Sequence, residues 1–360
     1  MSHKGRAGGA HQLTYRHLVP TAILVIASLS GSYFYLQGLW QQAITLEESS
    51  RVLTINSGES LHQVLSRAET QGWLMDANWV GRIARWQGLD QKIQMGEFRI
   101  ANGMTAGQMI EHLATGQVVQ YKITIPEGVT LRAAIALLER HPKLAATAGD
   151  KLNVALAAWV SPAISPEGWF LPETWSFTAG DADTDILRRA HTAMRELLDS
   201  LWGKRAVSLP LASPYEALIL ASIVERETAA PSERSQIAGV FLRRLERGMR
   251  LQTDPTVIYG LGDTYDGNLR RTHLRDPENA YNTYVMRGLP PTPIALPGED
   301  ALRAVFNPDD SDALYFVAKG DGTHAFSASL EEHEENVRRY QLVRRSDYRS
   351  TPDSPKQRRQ

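Results

Sequence analysis

Residues 214–227 read PYEALILASIVERE and form the most informative segment of the 360-residue chain. Apolar residues occupy nearly every direction around a helix drawn through this segment, which predicts a helix buried inside a domain. Ser213 precedes the segment, Pro214 takes the first helical position and Glu216 lies three residues after the serine, which is the pattern of a capping box. The segment therefore predicts the central helix of a globular domain.

Two glutamates at the end of this helix are candidates for acid–base chemistry. At 100° per residue, Glu225 and Glu227 point about 200° apart, so their carboxylates cannot share one site. Desolvation on an apolar face raises the pKa of a carboxyl group, and a general acid working near neutral pH needs such a pKa. The alternative is a structural ion pair with one of the nearby arginines: Arg226, Arg234, Arg243 or Arg244. Helical geometry leaves open which glutamate has which role.

Three similar strand–turn–helix patterns precede the central helix, between residues 50 and 140. Each combines a short apolar strand, a turn with glycine, and a hydroxyl residue as helix N-cap. These N-caps are Ser60, Thr105 and Thr130, and the first two have a glutamine three residues later, which predicts capping boxes. Because such small units cannot bury their apolar faces alone, we expect the three to pack on one another.

The downstream sequence predicts further helices and one hairpin. The helices are expected over 183–202, 233–247 and 329–343, with Gly248 as a C-terminal stop, and the hairpin over 314–327. Asp254 and Pro255 predict the cap and the first residue of another short helix. Residues 263–299 are rich in Gly, Pro, Asn, Asp and Arg, which indicates a long ordered loop of the kind that carries function.

The N-terminal part contains an uncharged stretch from Leu18 to Leu36, close to the ~20 residues that a helix needs to cross a bilayer. Basic residues precede it (Lys4, Arg6 and Arg16) and acidic ones follow it, so the positive-inside bias predicts a cytoplasmic N-terminus. A cleaved signal peptide or a buried core helix are the alternatives. No convincing small-x-small cleavage site follows the apolar run, which favours a membrane anchor.

The composition of the chain excludes several kinds of binding site and catalytic group. The formal net charge of −1 offers no global basic field for nucleic acid, so no nucleic-acid partner is expected. The absence of cysteine excludes disulfides, thiolate zinc sites and a cysteine nucleophile. The chain also lacks HExxH, GxGxxG, GxxxxGK[ST] and GxSxG motifs, so the sequence predicts no metal and no cofactor.

The motif ASIVERET at 221–228 is similar to the signature of the YceG-like family of endolytic murein transglycosylases. The resemblance extends through MRLQTDPTVIYG at 249–260, YNTY at 281–284 and GWFLPETW at 168–175, and it covers about residues 50–342. The family's catalytic residue is the second glutamate of the ERET block. The resemblance therefore assigns that role to Glu227.

The resemblance also implies an architecture of the α+β class. It predicts a cytoplasmic N-terminus at 1–17, a transmembrane helix at 18–38 and a LysM-like βα subdomain at 50–119. An α+β catalytic domain at 120–343, in which the buried helix carries the catalytic glutamate, completes this architecture. The polar tail at 344–360, which the family need not share, is predicted from its composition to be disordered. The expected location is the bacterial inner membrane, with a single pass and the catalytic domain in the periplasm.

The activity implied by the resemblance is cleavage of the MurNAc–GlcNAc bond within nascent peptidoglycan strands, which leaves 1,6-anhydro-MurNAc ends and terminates glycan elongation. The implied partners are the glycan strands and peptidoglycan synthases of the inner membrane. Amide, hydroxyl and aromatic side chains suit a sugar-binding cleft. The candidates of this kind are Gln252, Thr253, Asp254, Tyr281, Asn282 and Tyr284.

Two other functions stay open at this point. The first is a hydrolytic muramidase with a second acid, such as Asp254 or Glu173. The second is a non-enzymatic envelope scaffold that binds peptidoglycan, in which Glu227 is structural. Anhydro ends on the products would exclude the hydrolase.

Overall fold

The computed structural model describes residues 11–56, 58–161 and 165–342. The chain divides into two compact units, one formed by Met1–Tyr121 with Thr178–Gly180 and the other by Lys122–Phe177 with Asp181–Gln360. Both units mix helices with short strands, and the strands of the described part form two-stranded sheets. The predicted tail at 344–360 and most of the predicted cytoplasmic segment at 1–17 lie outside the described residues.

The first unit contains a two-stranded antiparallel sheet surrounded by helices. Its elements are α1 (His11–Gln41), β1 (Ser50–Ile55), α2 (Leu61–Thr70), α3 (Ala77–Trp86), β2 (Gly96–Ala101) and α4 (Ala106–Thr115). Strands β1 and β2 pair with Ser50 opposite Ala101 and Ile55 opposite Gly96. Side chains from the sheet and the helices, among them Leu65, form one hydrophobic core. The predicted capping boxes at the starts of α2 and α4 are confirmed.

Helix α1 extends beyond the predicted 18–38 span at both ends. Among the described residues it is the one helix long and apolar enough to cross a membrane, over Val19–Gln41. The residues from Val19 to Tyr35 are all exposed. The helix continues past residue 38 because Leu39 and Trp40 pack into the core of the first unit. The same helix therefore provides both an apolar span and part of a folded core.

The second unit is built around a helix that is buried on all sides. Its elements are β3 (Gln120–Thr124), α5 (Leu131–Glu139), α6 (Gly149–Trp159), β4 (Thr174–Thr178), α7 (Asp183–Gly203), α8 (Pro214–Glu227), α9 (Arg234–Glu246), α10 (Asp254–Leu261), α11 (Arg271–Leu274), α12 (Glu299–Phe306), β5 (Tyr315–Ala318), β6 (His324–Ser327) and α13 (Leu330–Val337). Helix α8 packs against α7, α9, α10 and α12, and every residue from Ala217 to Val224 is buried. The predicted buried central helix is confirmed.

The three strand–turn–helix patterns do not pack together as predicted. Strands β1 and β2 pair with each other, whereas β3 pairs with β4, which follows it by about fifty residues. The third strand–turn–helix pattern nevertheless has the expected cap, because the Thr130 hydroxyl accepts the Ala133 N–H at the start of α5. Turn and cap residues fix a local unit, but they do not determine which strand becomes its partner.

Several predicted element ends shift in the structure. At α8 only half of the capping box forms: Ser213 accepts the Glu216 N–H, while the Glu216 carboxylate accepts the Ala212 N–H at 2.6 Å. At α10 the N-cap is Thr253, whose side chain makes no capping bond, and Asp254 is the first helical residue. The prediction that Asp254 caps this helix is therefore wrong, because the extended backbone ends at Thr253 and Asp254 is already helical.

The remaining predicted elements are close to those observed. Helix α9 ends at Glu246, and Gly248 follows in a left-handed conformation with φ 64°, as a C-terminal stop requires. Strands β5 and β6 form the predicted antiparallel hairpin. The predicted helix 329–343 is divided into α13 and a π-helical turn over Arg338–Leu342. The long loop 263–299 contains the short helix α11.

Candidate active site

Glu225, near the end of α8, lies in a network of ionic and backbone contacts. Its carboxylate accepts the Gly298 N–H at 3.0 Å and lies 3.4 Å from the Arg234 guanidinium. Arg234 also reaches Glu127 at 3.4 Å and Asp300 at 3.1 Å. Burial raises the pKa of the Glu225 carboxyl, while the Gly298 N–H and Arg234 act in the opposite direction. The structural ion pair that the sequence left open is therefore made by Glu225.

Glu227 leaves the same helix on another face and has a different environment. Its carboxylate accepts a hydrogen bond from the Thr253 hydroxyl, and within the described part of the chain it forms no ion pair. Burial raises the pKa of the Glu227 carboxyl to about 7, and the negative charge of Asp254 adds to this effect. The Thr253 hydrogen bond and the positive charge of Arg244 lower that pKa. Near neutral pH this carboxyl exchanges between its acid and base forms.

Two buried threonines hold the backbone of Thr253, whose hydroxyl faces Glu227. The Thr283 hydroxyl accepts the Thr253 N–H at 3.0 Å, and the Thr256 hydroxyl donates to the Thr253 carbonyl at 2.8 Å. The preceding residue, Gln252, is exposed and has φ 54°, a left-handed conformation that is unfavourable for a residue with a side chain. Its N–H donates to the Thr283 carbonyl at 3.1 Å, which holds this conformation in place. The arrangement fixes the orientation of Thr253.

A tyrosine–aspartate pair lies next to the glutamate. The Tyr284 hydroxyl donates to the exposed Asp254 carboxylate at 2.6 Å. Burial raises the pKa of the Tyr284 phenol, and the bond to Asp254 and the negative charges of Asp254 and Glu227 raise it further. Tyr284 is therefore a neutral hydrogen-bond donor at physiological pH, and it keeps its proton while it donates to Asp254.

Arg244 supplies positive charge to this region without contacting Glu227. The side chain is buried, and its guanidinium donates to the carbonyls of Leu314 and Leu251, each at 2.7 Å. Its guanidinium carbon lies 5.1 Å from the centre of the Tyr315 ring. Backbone carbonyls accept the hydrogen bonds of its Nε and one of its Nη atoms, and Arg244 acts on Glu227 through its charge.

Asn282 forms hydrogen bonds to the backbone of the loop that contains Tyr284. It is fully buried, and its amide donates to the carbonyls of His273 at 3.1 Å and Asp276 at 2.8 Å. Its side-chain oxygen accepts the Tyr284 N–H at 3.1 Å. The structure thus shows Asn282 as the residue that fixes the loop on which Tyr284 lies, with all of its polar atoms engaged.

Tyr281 lies in a second polar cluster with Tyr259. The Tyr281 hydroxyl bonds to the Thr292 hydroxyl at 2.9 Å, and its ring meets the Tyr259 ring edge-to-face at 4.9 Å between centroids. Of the six substrate-binding candidates, the structure gathers three, Thr253, Asp254 and Tyr284, around Glu227.

Glu167 is a buried acid that the sequence analysis missed. Its carboxylate accepts the Leu131 N–H at 2.8 Å and the Tyr259 hydroxyl at 3.2 Å. Burial raises the pKa of the Glu167 carboxyl to about 7, against these hydrogen bonds. The sequence feature that could have indicated Glu167 is its position directly before the aromatic motif GWFLPETW.

Glu167 lines a cleft of about 640 Å³ beside the start of α10. Tyr259 and Arg132 contribute to the same wall, and the lining reaches Arg226 and Pro255, which are the sequence neighbours of Glu227 and Asp254. Glu227 itself does not line this cleft. The volume lies within the range of sites that bind small ligands or parts of polymers.

The second acid that a hydrolase would require has two sequence candidates. Asp254 lies in the cluster around Glu227, where it accepts the Tyr284 hydrogen bond. Glu173 is exposed, and its carboxylate accepts the N–H of the next residue, Thr174, at 2.8 Å. In the described ranges, no group of three or more histidine, aspartate or glutamate side chains is arranged to hold a metal ion.

The chain matches the YceG-like family over residues 53–339. It is 28% identical over 336 residues to the endolytic murein transglycosylase of Bacillus subtilis (strain 168), covering 87% of this chain and 91% of that protein. It is 26% identical over 352 residues to the endolytic murein transglycosylase of Streptococcus pneumoniae (strain ATCC BAA-255 / R6), and it spans 63% of that protein's length.

A solved structure is similar as well. The crystal structure of a yceG-like protein from Listeria monocytogenes aligns with a TM-score of 0.51 and 27% identity, covering 80% of this chain and 99% of that chain. The family match extends over most of the chain, from β1 to the end of α13. The resemblance predicted from the motifs is confirmed, and the protein belongs to the YceG-like family.

Proposed function

We propose that this protein is an endolytic murein transglycosylase that cleaves peptidoglycan glycan strands, with Glu227 as its catalytic acid and base. The observation that carries the assignment is the Glu227 carboxyl, which is held by the Thr253 hydroxyl, has no ion-pair partner within the described residues and has its pKa raised to about 7 by burial. The reaction class comes from the relatives in Bacillus subtilis and Streptococcus pneumoniae, both of which are named endolytic murein transglycosylases.

The proposed reaction needs a single carboxyl group. Protonated Glu227 donates its proton to the glycosidic oxygen between MurNAc and GlcNAc, and the bond from that oxygen to C1 of MurNAc breaks. The carboxylate then takes the proton of the MurNAc 6-hydroxyl as that oxygen bonds to C1. The products are a 1,6-anhydro-MurNAc end and a GlcNAc hydroxyl, and Glu227 is again protonated.

The intramolecular hydroxyl explains why a second acid is unnecessary. Hydrolytic glycosidases use a second carboxylate to activate water or to form a covalent intermediate. A hydroxyl of the same sugar attacks with a high effective molarity, so it replaces both. The neighbours of Glu227 fit supporting roles: Thr253 orients the carboxyl group, and Tyr284 with Asp254 offers polar groups to the sugar.

We further propose the placement of the two units. Helix α1 anchors the chain in the inner membrane, and the basic residues before its apolar part favour a periplasmic location for everything that follows it. The first unit is the LysM-like, glycan-binding module that the resemblance implies, and its separate hydrophobic core supports an independent module. Peptidoglycan synthases of the same membrane are the proposed partners in terminating strand growth.

Digestion of purified sacculi in ¹⁸O-labelled water tests the reaction class. We expect the full-length protein to release glycan fragments with 1,6-anhydro-MurNAc ends and without incorporated ¹⁸O, because no water enters the product. Strand fragments of many lengths, rather than single disaccharides, are expected from an endolytic enzyme.

Each alternative predicts a different mass spectrum. A hydrolytic muramidase would release reducing MurNAc ends that carry one ¹⁸O atom. A non-enzymatic scaffold would release nothing while the protein still sediments with sacculi. Either result would contradict the proposal.

A further inference from the structure

Helix α3 of the first unit exposes a continuous face of large side chains. Trp86 is 87% exposed, Met75 is 70% exposed and Trp79 is 43% exposed. Trp79, Arg82 and Trp86 follow one another at intervals of three or four positions, so they share one side of the helix, and Met75 lies in the turn before it. We call these four residues the α3 face. The other side of the helix is buried in the core of the unit.

The α3 face joins aromatic and basic groups. The Arg82 guanidinium lies over the Trp79 ring, 4.7 Å from its centre. Arg85, on the same side, pairs with Asp90 at 3.3 Å, so its charge is partly neutralised. Tryptophan and arginine side chains combine apolar surface with a polar group, and they are favoured where a membrane meets water.

Two sets of hydrogen bonds attach the start of α3 to the last turns of α1. The Gln42 side-chain amide donates to the Met75 carbonyl at 3.0 Å and its oxygen accepts the Met75 N–H at 2.9 Å. The Tyr35 hydroxyl donates to the Asp76 carboxylate at 2.5 Å. The residues of α1 from Val19 to Tyr35 are exposed, and the buried contacts of α1 with the unit begin at Leu39.

The position along α1 gives the depth of α3 in a membrane. A helix rises about 1.5 Å per residue, so about 20 residues from Val19 cover the ~30 Å of hydrocarbon and reach the region of residue 38. The contacts at Tyr35 and Gln42 lie on either side of that level. With α1 spanning a bilayer from Val19, the start of α3 would lie at the boundary between hydrocarbon and water.

We infer that the α3 face rests in the phospholipid headgroup layer of the membrane that α1 spans. The inference depends on the proposed anchor and not on the proposed catalysis. Insertion of the exposed tryptophans would remove their apolar surface from water, while Arg82 remains among the phosphates. The first unit would then be fixed at the membrane surface by two contacts, one spanning and one lying on the bilayer.

The lack of cysteine in the chain allows a direct test in the full-length protein. A single cysteine replaces the exposed Asn78, beside Trp79, and carries a fluorophore; the matched control replaces the exposed Thr54 on β1. Both proteins are placed in nanodiscs that contain lipids with a nitroxide in the headgroup. We expect several-fold stronger quenching at position 78 than at position 54.

A double variant tests whether the two tryptophans themselves hold the α3 face in the lipid headgroups. Trp79→Ser together with Trp86→Ser, in the Asn78→Cys background, should lose most of this quenching, and circular dichroism should show an unchanged fold. Equal quenching at both positions, none at position 78, or quenching that survives both replacements would overturn the inference. Loss of sacculus binding in the double variant without any lipid quenching would identify the α3 face as a glycan surface instead.

Discussion

The two faces at the end of α8 show how one helix can hold two glutamates in different chemical states. Glu225 meets a guanidinium and a backbone N–H, whereas Glu227 meets a hydroxyl and a neighbouring carboxylate. Burial raises the pKa of both groups. The difference lies in what opposes burial: Arg234 contacts Glu225 directly, while Arg244 acts on Glu227 only through its charge.

This difference teaches that burial alone does not identify a catalytic acid. A buried carboxylate with a direct cationic partner has its charge balanced, and removing either partner leaves the other one buried and unpaired. A buried carboxylate with a neutral donor can hold or release a proton near neutral pH. The pair Glu225 and Glu227 thus forms an internal control, since both lie on one helix and two residues apart.

The largest expected effect is on cleavage. Glu227→Gln should reduce the release of anhydro-muropeptides by about 10²–10⁴-fold, because glutamine retains the size but cannot transfer a proton. Glu225→Gln should retain most of the activity, since its amide oxygen still accepts the Gly298 N–H. The measurement is the initial rate on purified sacculi at saturating protein, with circular dichroism as a check of folding. An inactive Glu225 variant beside an active Glu227 variant would reverse the assignment.

The next largest effect is on stability, and it is expected at the other glutamate. Glu225→Ala leaves the Gly298 N–H and part of the Arg234 guanidinium without a partner, which should lower the free energy of unfolding by about 1–3 kcal/mol. Glu127 and Asp300 still contact Arg234, so the loss stays below that of a fully orphaned charge.

Thermal unfolding in detergent measures this change. The matched control is Glu196→Ala, which removes an exposed carboxylate from α7 and should leave the melting temperature nearly unchanged. Equal melting temperatures for the two alanine variants would show that the contacts of Glu225 contribute nothing to stability.

A smaller effect is expected from the hydroxyl that holds Glu227. Thr253→Val should slow cleavage by about tenfold, because the carboxyl group loses its orienting hydrogen bond. The same bond lowers the pKa of Glu227, so its loss should move the alkaline decline of activity to higher pH. Thr253→Ser keeps a hydroxyl and is the control. A pH–rate profile that is identical for the valine variant and the wild type would remove Thr253 from the site.

The sequence predicted the local elements better than their long-range partners. The all-round apolar pattern of α8 and the caps of α2, α4 and α5 depend on neighbours a few residues apart, and these predictions are confirmed. The pairing of β3 with β4 joins residues about fifty positions apart and follows no local signal. The start of α10 also has a long-range contact, because its N-cap Thr253 donates its N–H to the hydroxyl of Thr283, 30 residues away.

The sequence predicted which residues belong to the candidate site better than it predicted the contacts between them. Helical geometry separated Glu225 from Glu227, and the family motif selected one of them; that choice stays a prediction. No pattern in the sequence indicated that Arg234 pairs with Glu225 or that Asn282 would be fully enclosed by backbone partners. Glu167 was missed because its burial depends on Leu131 and Tyr259, which are distant in sequence.

The protonation state of Glu227 follows from its raised pKa. A glutamate of ordinary pKa, about 4.5, is ionised by pH 6, whereas the folded protein should still hold this proton until about pH 7. Between these values the folded state binds more protons than the unfolded state, so the contribution of Glu227 to stability falls as the pH rises through this window. Cleavage should likewise decline above about pH 7, as the acid form is lost.

Infrared titration of the Glu227 carboxyl tests the central claim most directly. The difference between the spectra of the full-length wild type and Glu227→Gln isolates this one group from the other acids, including Glu167. The protonated C=O band should persist at pH 6 and lose half of its intensity near pH 7. A carboxyl that is already fully ionised at pH 5.5 would contradict the account, because Glu227 would then have no proton to donate under physiological conditions.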